Sequence, residues 1–284
     1  MVIGWLADHI GITGGAEVSD AAFLAAVPDD VEIVHCPPGK RPPASVSGYV
    51  VNNCITYDDR WLEVLAQKPI VRHIHDLWPY GSPLIRRWLL DHAALVLFNS
   101  PKHRETFQFP VSAPCDYVHP PVDVARFRTA AREADERVVK RSGVIWFGRI
   151  SVGKGIQNVA DWALRTGTPV DFYGHCYEPL AMSQIVLPCR YCGAVGQDEL
   201  PELLTRYRAF VHMPVKSDVC GRTAAEAWAA GLELELGGNA DIDALYDWLD
   251  TKALQNAPRV FWAKVLETIG GHHYGTSKKR TPKG

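Results

Sequence analysis

The chain alternates short apolar runs with longer segments whose apolar residues recur every three or four positions. Val2 to Leu6, Glu32 to Cys36, Tyr49 to Asn53, Ile70 to His75, Leu95 to Asn99 and Tyr117 to His119 read as strands, each short and rich in β-branched or aromatic residues. Helix-like patterns lie between them. This alternation predicts βαβ units around a parallel sheet, with ligands bound beyond the carboxyl ends of the strands. The rhythm breaks after Pro120-Pro121, where a polar, charge-dense stretch from Ala125 to Arg141 reads as a passage between domains. It then resumes. Val144 to Phe147, Val170 to Tyr173, Phe210 to Met213 and Leu232 to Leu236 read as strands, and Ile156 to Arg165, Leu200 to Arg208, Thr223 to Ala230, Ile242 to Leu249 and Ala257 to Ile269 as helices. The predicted layout is two α/β domains of one kind at 1–122 and 143–269, a linker at 123–142 and a basic, disordered tail at 270–284.

Composition narrows the class without naming a function. At 284 residues the chain exceeds the usual single core, and 47% hydrophobic with 22% charged residues is the balance of a globular enzyme. A formal net charge of −2 excludes a whole-surface attraction to nucleic acid or anionic membrane. The tail, with Lys278, Lys279, Arg280 and Lys283, reads as a solvated terminus, its alternative being an electrostatic arm for a polyanion. The start has no basic leader and no run reaches the roughly 18 apolar residues of a membrane span, so a cytoplasmic protein without stable membrane insertion is expected. Pro83 to Leu90, with Arg86, Arg87 and Trp88, reads as a buried helix; peripheral contact with a membrane surface is the alternative. Seven cysteines, an odd number spread along the chain, suit reduced thiols.

Four windows carry candidate chemistry. Ser217-Asp218-Val219-Cys220-Gly221-Arg222-Thr223-Ala224-Ala225-Glu226 places a loop before an Ala-rich helix, where Gly221, Arg222 and the free N–H groups make an anion site. Thr223 and Glu226 have the spacing of a capping box, which needs no ligand, and the two readings stay open on pattern alone. Phe147-Gly148-Arg149-Ile150-Ser151-Val152-Gly153-Lys154-Gly155 sets two cations on one loop after a strand, able to neutralise a departing diphosphate without a metal ion. Gly14-Gly15-Ala16-Glu17 follows the first strand, where glycine lets backbone approach a ligand. His73-Ile74-His75-Asp76-Leu77-Trp78 ends another strand. A fifth cluster, His175, Cys176, Cys189 and Cys192, has only one half with zinc-like spacing, so no metal is expected.

Together these windows resemble the signatures of family 4 glycosyltransferases. Asp218 and Glu226, eight positions apart, are similar to that family's paired acids, with Asp where Glu is usual; Gly148-Arg149 through Lys154-Gly155 resembles its Arg-to-Lys element. Gly14-Gly15-Ala16-Glu17 resembles its Gly-Gly-Ala-Glu loop, and His75-Asp76-Leu77-Trp78 its His-Asp-x-Trp element. The resemblance implies an α/β fold of the GT-B type, two Rossmann-like domains facing each other across a cleft. It implies a retaining transferase in which Glu226 binds the nucleotide ribose, Asp218 and His75 contact the donor sugar, and Arg149 and Lys154 meet the phosphates. Gly14, Gly15, Gly148, Gly221, Arg222 and Thr223 would complete the donor site, while Glu17, Asp76 and Trp78 would lie on the acceptor side. The donor would be a UDP-, GDP- or ADP-sugar, with no cofactor and no metal; the acceptor could be a glycan, a protein, a small molecule or modified DNA. A nucleotide-sugar epimerase of similar fold and a catalytically degenerate binding module are the rival readings. An NAD-dependent oxidoreductase is disfavoured, because no Gly-x-Gly-x-x-Gly follows the first strand.

Overall fold

A computed structural model describes residues 1–7, 15–37, 39–52, 59–76, 82–215, 221–237 and 249–275. The chain divides into two compact units, Met1–Pro121 with Asn256–Gly284, and Val122–Gln255.

The first unit is built on a six-stranded parallel sheet in the order β2-β1-β3-β4-β5-β6. Its strands are β1 (Val2–Leu6), β2 (Glu32–Cys36), β3 (Gly48–Val51), β4 (Ile70–His73), β5 (Leu95–Phe98) and β6 (Cys115–Tyr117). Between them run α1 (Gly15–Ala25), the short α2 (Leu62–Leu65), α3 (Pro83–His92) and α4 (Pro101–Thr106). Side chains alternate between two buried faces, as the pleat requires. Tyr49, Val51, Ile70, Val96 and Phe98 enter one core, while Ile3, Trp5, Val50, Val71 and Leu97 enter the other. Burial on both faces is why the strands read as continuous apolar runs. Helix α3 starts on Pro83 behind Ser82, whose hydroxyl accepts from Ile85 N at 3.2 Å, and it buries Ile85, Leu89 and Leu90. The buried-helix reading of this segment is therefore what the packing shows.

The second unit carries a five-stranded parallel sheet in the order β11-β10-β7-β8-β9. Its elements are α5 (Val124–Glu136), β7 (Val144–Phe147), α6 (Ile156–Thr166), β8 (Val170–Tyr173), α7 (Pro179–Ser183), β9 (Arg190–Tyr191), α8 (Leu200–Leu204), β10 (Ala209–His212), α9 (Arg222–Ala229) and β11 (Glu233–Leu236). Most of the residues expected as a linker form α5, which is capped by Asp123 and buries Val124, Phe127 and Ala134 within this unit. Charge density marked its solvated face; its apolar positions were too sparse to stand out.

The last helix, α10 (Thr251–Gly275), is twice the length expected and packs from Asn256 onward on the first unit. Ala257, Phe261, Trp262, Val265 and Ile269 complete the core that holds Ile3, Trp5 and Phe23. Trp262 Nε1 donates to the carbonyl of Phe23 at 2.7 Å, and Lys264 pairs with Asp116. Sequence order had assigned this helix to the C-terminal domain; burial of its aromatic stripe decides otherwise. The helix expected over Ile242 to Leu249 falls almost wholly outside the described residues. Among the described residues no helix is long and apolar enough to cross a membrane.

Candidate functional site

In a parallel sheet every strand delivers its carboxyl end to the same edge, so the loops after β7, β8 and β10 of the second unit gather there. Gly148 leaves β7 at φ +141°, and a Cβ placed on it would lie 3.5 Å from Thr223 Cγ2 at the start of α9. The two windows singled out by sequence therefore meet. Gly174, which follows β8, presses still closer: a Cβ there would stand 1.7 Å from the carbonyl oxygen of Gly148. Only glycine admits that approach.

Arg149 is exposed on this edge, with its guanidinium 4.8 Å from the centre of the Tyr177 ring, a cation–π contact that orients a long side chain at little cost. Lys154 closes a single turn of 3₁₀ helix, Val152–Lys154, ahead of Gly155. Gly155 is left-handed at φ +75°, and a Cβ on it would fall 1.9 Å from Met213 O, so the lysine loop is pinned against the segment that follows β10. Val215 N donating to Gly153 O at 3.2 Å, and Asn158 Nδ2 to Met213 O at 2.9 Å, hold the same junction.

Helix α9 begins at Arg222 behind Gly221, with no side-chain cap. The capping-box reading of Thr223 and Glu226 is thereby set aside, because Glu226 turns inward instead. It is 1% exposed, and its Oε1 lies 2.9 Å from Arg222 Nε, four residues earlier on the same helix. Burial raises its carboxyl above the ordinary range, against the opposing pull of Arg222 and Arg126. The carboxylate expected to hold a ribose is thus a buried partner of the arginine expected to hold a phosphate. Asp218 lies outside the described residues.

In the first unit, Gly15 opens α1 and is exposed, and Glu17 lies in the helix's first turn; Gly14 and Trp78 fall outside the described residues. Asp76 is exposed, and its carbonyl accepts from His103 Nε2 at 3.0 Å. His75 is not displayed. Its side chain is 6% exposed, with Nε2 3.2 Å from Oδ1 of the buried Asp20 on α1. His73 and His75, two apart, point to the same side of the sheet, their rings 4.1 Å apart. His73 is wedged edge-on against Phe23, and burial, aided by the nearby His75 and only partly opposed by its bond to Asn99, keeps its imidazole far below its ordinary pKa and therefore neutral. Sequence reasoning missed Asp20 and His73. The signal available was a His-x-His pair on one strand face, but nothing in the spacing points to a helix 50 residues earlier. His175, Cys176, Cys189 and Cys192 do not converge as a metal cluster; among the described residues that role falls to Asp20, His73 and His75.

Two parallel-sheet units with helical crossovers give the chain the fold of the GT-B glycosyltransferases. No protein-family model matches the chain, and no curated protein matches it in sequence. Solved structures do. Anabaena HepE in complex with UDP and glucose superposes at a TM-score of 0.62 and 15% identity, covering 98% of this chain and 100% of that one. AviGT4, a glycosyltransferase involved in avilamycin A biosynthesis, matches at 0.62 and 15%, over 97% and 99% of the two chains. Sucrose-phosphate synthase from Thermosynechococcus elongatus matches at 0.61 and 12%, over 96% and 98%.

Proposed function

We infer that this chain is a glycosyltransferase of the family 4 kind that takes a nucleotide sugar as donor and binds it on the second unit. The observation that carries the reading is the packing of Gly148 against Thr223, which sets the loop bearing Arg149 and Lys154 beside the N-terminus of α9 with Arg222. Two basic loops and a helix N-terminus at one sheet edge suit a diphosphate: the N–H groups supply fixed dipoles and the cations neutralise charge that grows as the phosphate departs. UDP and UDP-glucose bound in complexes of HepE favour a uridine donor here. With Gly148, Gly221 and Thr223 shaping the backbone, Arg149 and Lys154 hold the phosphates, and Glu226 serves the ribose once Arg222 swings toward the phosphate. Asp218 contacts the sugar. Gly14 and Gly15 of the first unit serve the donor, while Glu17, Asp76 and Trp78 serve the acceptor side.

Transfer proceeds with retention by front-side displacement, the departing phosphate oxygen taking the acceptor's proton while Arg149 and Lys154 stabilise its charge. A covalent sugar trapped on a side chain would overturn that route. The donor reading is tested by calorimetry of UDP, GDP, ADP and their sugar conjugates against wild type and Glu226→Ala. Selective binding of one nucleotide, weakened in the variant, is expected; no binding by any of them removes the transferase reading and leaves a protein of the same fold with another task. Turnover of a nucleotide sugar to its epimer without acceptor would assign an epimerase instead.

A further inference from the structure

Three buried polar atoms of one side-chain cluster in the first unit make no hydrogen bond among the described residues. They are Asp20 Oδ1, His73 Nδ1 and His75 Nε2. Asp20 and His73 are 7% and 1% exposed, so water does not readily solvate these groups, and an unsatisfied buried polar atom costs about 1–3 kcal/mol. Asp20 Oδ1 and His75 Nε2 approach to 3.2 Å without forming a hydrogen bond. The two atoms stand within ion-pair range.

The tautomer of His73 is fixed by its neighbour. Asn99 Nδ2 donates to the carbonyl of His75 at 3.2 Å, which turns the amide oxygen toward His73 Nε2 at 3.1 Å. Nε2 therefore carries the proton and donates. Nδ1 is left with a bare, buried lone pair that no hydrogen bond uses. A histidine whose second nitrogen is anchored on an amide oxygen and whose first is a buried lone pair has the arrangement seen when imidazole ligates a metal. One ligating atom from each of Asp20, His73 and His75 lies within 4.8 Å of the others.

We propose that Asp20, His73 and His75 form a binding site for a divalent first-row transition-metal ion in the first unit. Two neutral imidazoles and one carboxylate are the donor set suited to zinc, iron(II), cobalt(II) or manganese(II), and disfavour calcium and magnesium, which take oxygen ligands. Three protein ligands leave at least one coordination position for water or an oxygen of a bound molecule. β4 ends on His73 and the chain carries His75 two residues further, their rings 4.1 Å apart, while α1 supplies Asp20 one turn before Phe23, which packs against His73. This site departs from the sequence expectation of a chain without metal and takes as a ligand His75, which the resemblance assigned to the donor sugar; it does not rest on the donor reading, whose carrying observation lies in the second unit.

The test titrates cobalt(II) and then zinc(II) into the untagged, metal-stripped full chain, with no nucleotide present, following visible d–d absorption and bound metal per chain. Wild type is expected to take up one equivalent, with zinc displacing cobalt. Asp20→Asn and His75→Gln, each checked for native circular dichroism, should weaken binding by more than the roughly 10–100-fold that loss of a supporting residue costs. His272→Ala with His273→Ala should leave it unchanged. Failure of folded wild type to bind either ion overturns the proposal. So does uptake that persists in Asp20→Asn, that vanishes with His272 and His273, or that carries a thiolate charge-transfer band placing cobalt on cysteine. Should the variants not fold, the wild-type stoichiometry and absorption decide alone.

Discussion

The carboxyl edge of the second sheet and the polar cluster of the first place charge in opposite ways. At the second, Arg149 is exposed and Lys154 half-buried on loops whose glycines let backbone segments touch. At the first, an aspartate and two histidines are buried under α1 and α10, with Phe261 stacked 4.2 Å from Phe23 and 5.5 Å from His73. An exposed cation can wait in water for an anion at no penalty. A buried aspartate and two buried imidazole rings must be satisfied on the spot or by something that arrives. The lesson is that one site is written in loop geometry, and the other in what packs around it.

The comparison breaks most severely if the aromatic wedge is removed. Phe261→Ala should cost the first unit about 3–5 kcal/mol in urea unfolding, because Phe261 is fully buried between Trp5, Phe23 and Trp262. A loss under about 1 kcal/mol would mean that α10 does not dock there in solution. On the other side, if the proposed donor site holds, Lys154→Ala should lower kcat by about 10²–10³-fold at little change in stability, the size expected for losing one charge that stabilises a leaving group. An unchanged rate with any competent donor would take the cationic loop out of the reaction.

Gly174→Ala sharpens the loop argument. The residue sits at φ +144° against Gly148 O, and strain with a backbone clash should cost about 1–3 kcal/mol or more by urea denaturation while also weakening nucleotide binding. Binding left intact would uncouple Gly148 from the donor. Glu226 gives a pH dependence of intermediate size. Its folded pKa is raised, so the unfolded chain releases this proton first, and stability falls as pH climbs upward from the ordinary carboxylate range. Glu226→Gln should flatten that fall in denaturation as pH rises above the ordinary carboxylate range. The smallest effect belongs to Arg190→Ala: its pair with Asp171 is close at 2.6 Å, but the arginine is 72% exposed to screening water, and urea denaturation should shift least of all these variants.

Much of this was legible beforehand. Strands β1, β2, β7 and β8 fall where their apolar runs begin and end; for β1 and β7 burial on both faces leaves no alternative reading for such runs. Strand β9, two residues long with both exposed, has no pattern to read, and β6 begins two residues earlier than its apolar signal. The Arg149 to Lys154 spacing and the Gly221-Arg222 turn were visible because short-range chemistry is encoded in short-range order. That Glu226 faces Arg222 was not, since an i, i+4 pair and a capping box use the same residue types until the helix start is known.

What the sequence by itself determined is the class of fold, two successive runs of β and α, and the local character of the basic loops; periodicity and spacing are properties of neighbours along the chain. What only the tertiary structure decided is the return of α10 to the first unit and the meeting of Asp20 with His73 and His75. Both join residues far apart in the chain through the burial of shared apolar surface, and no pattern within one segment records which distant face will cover it.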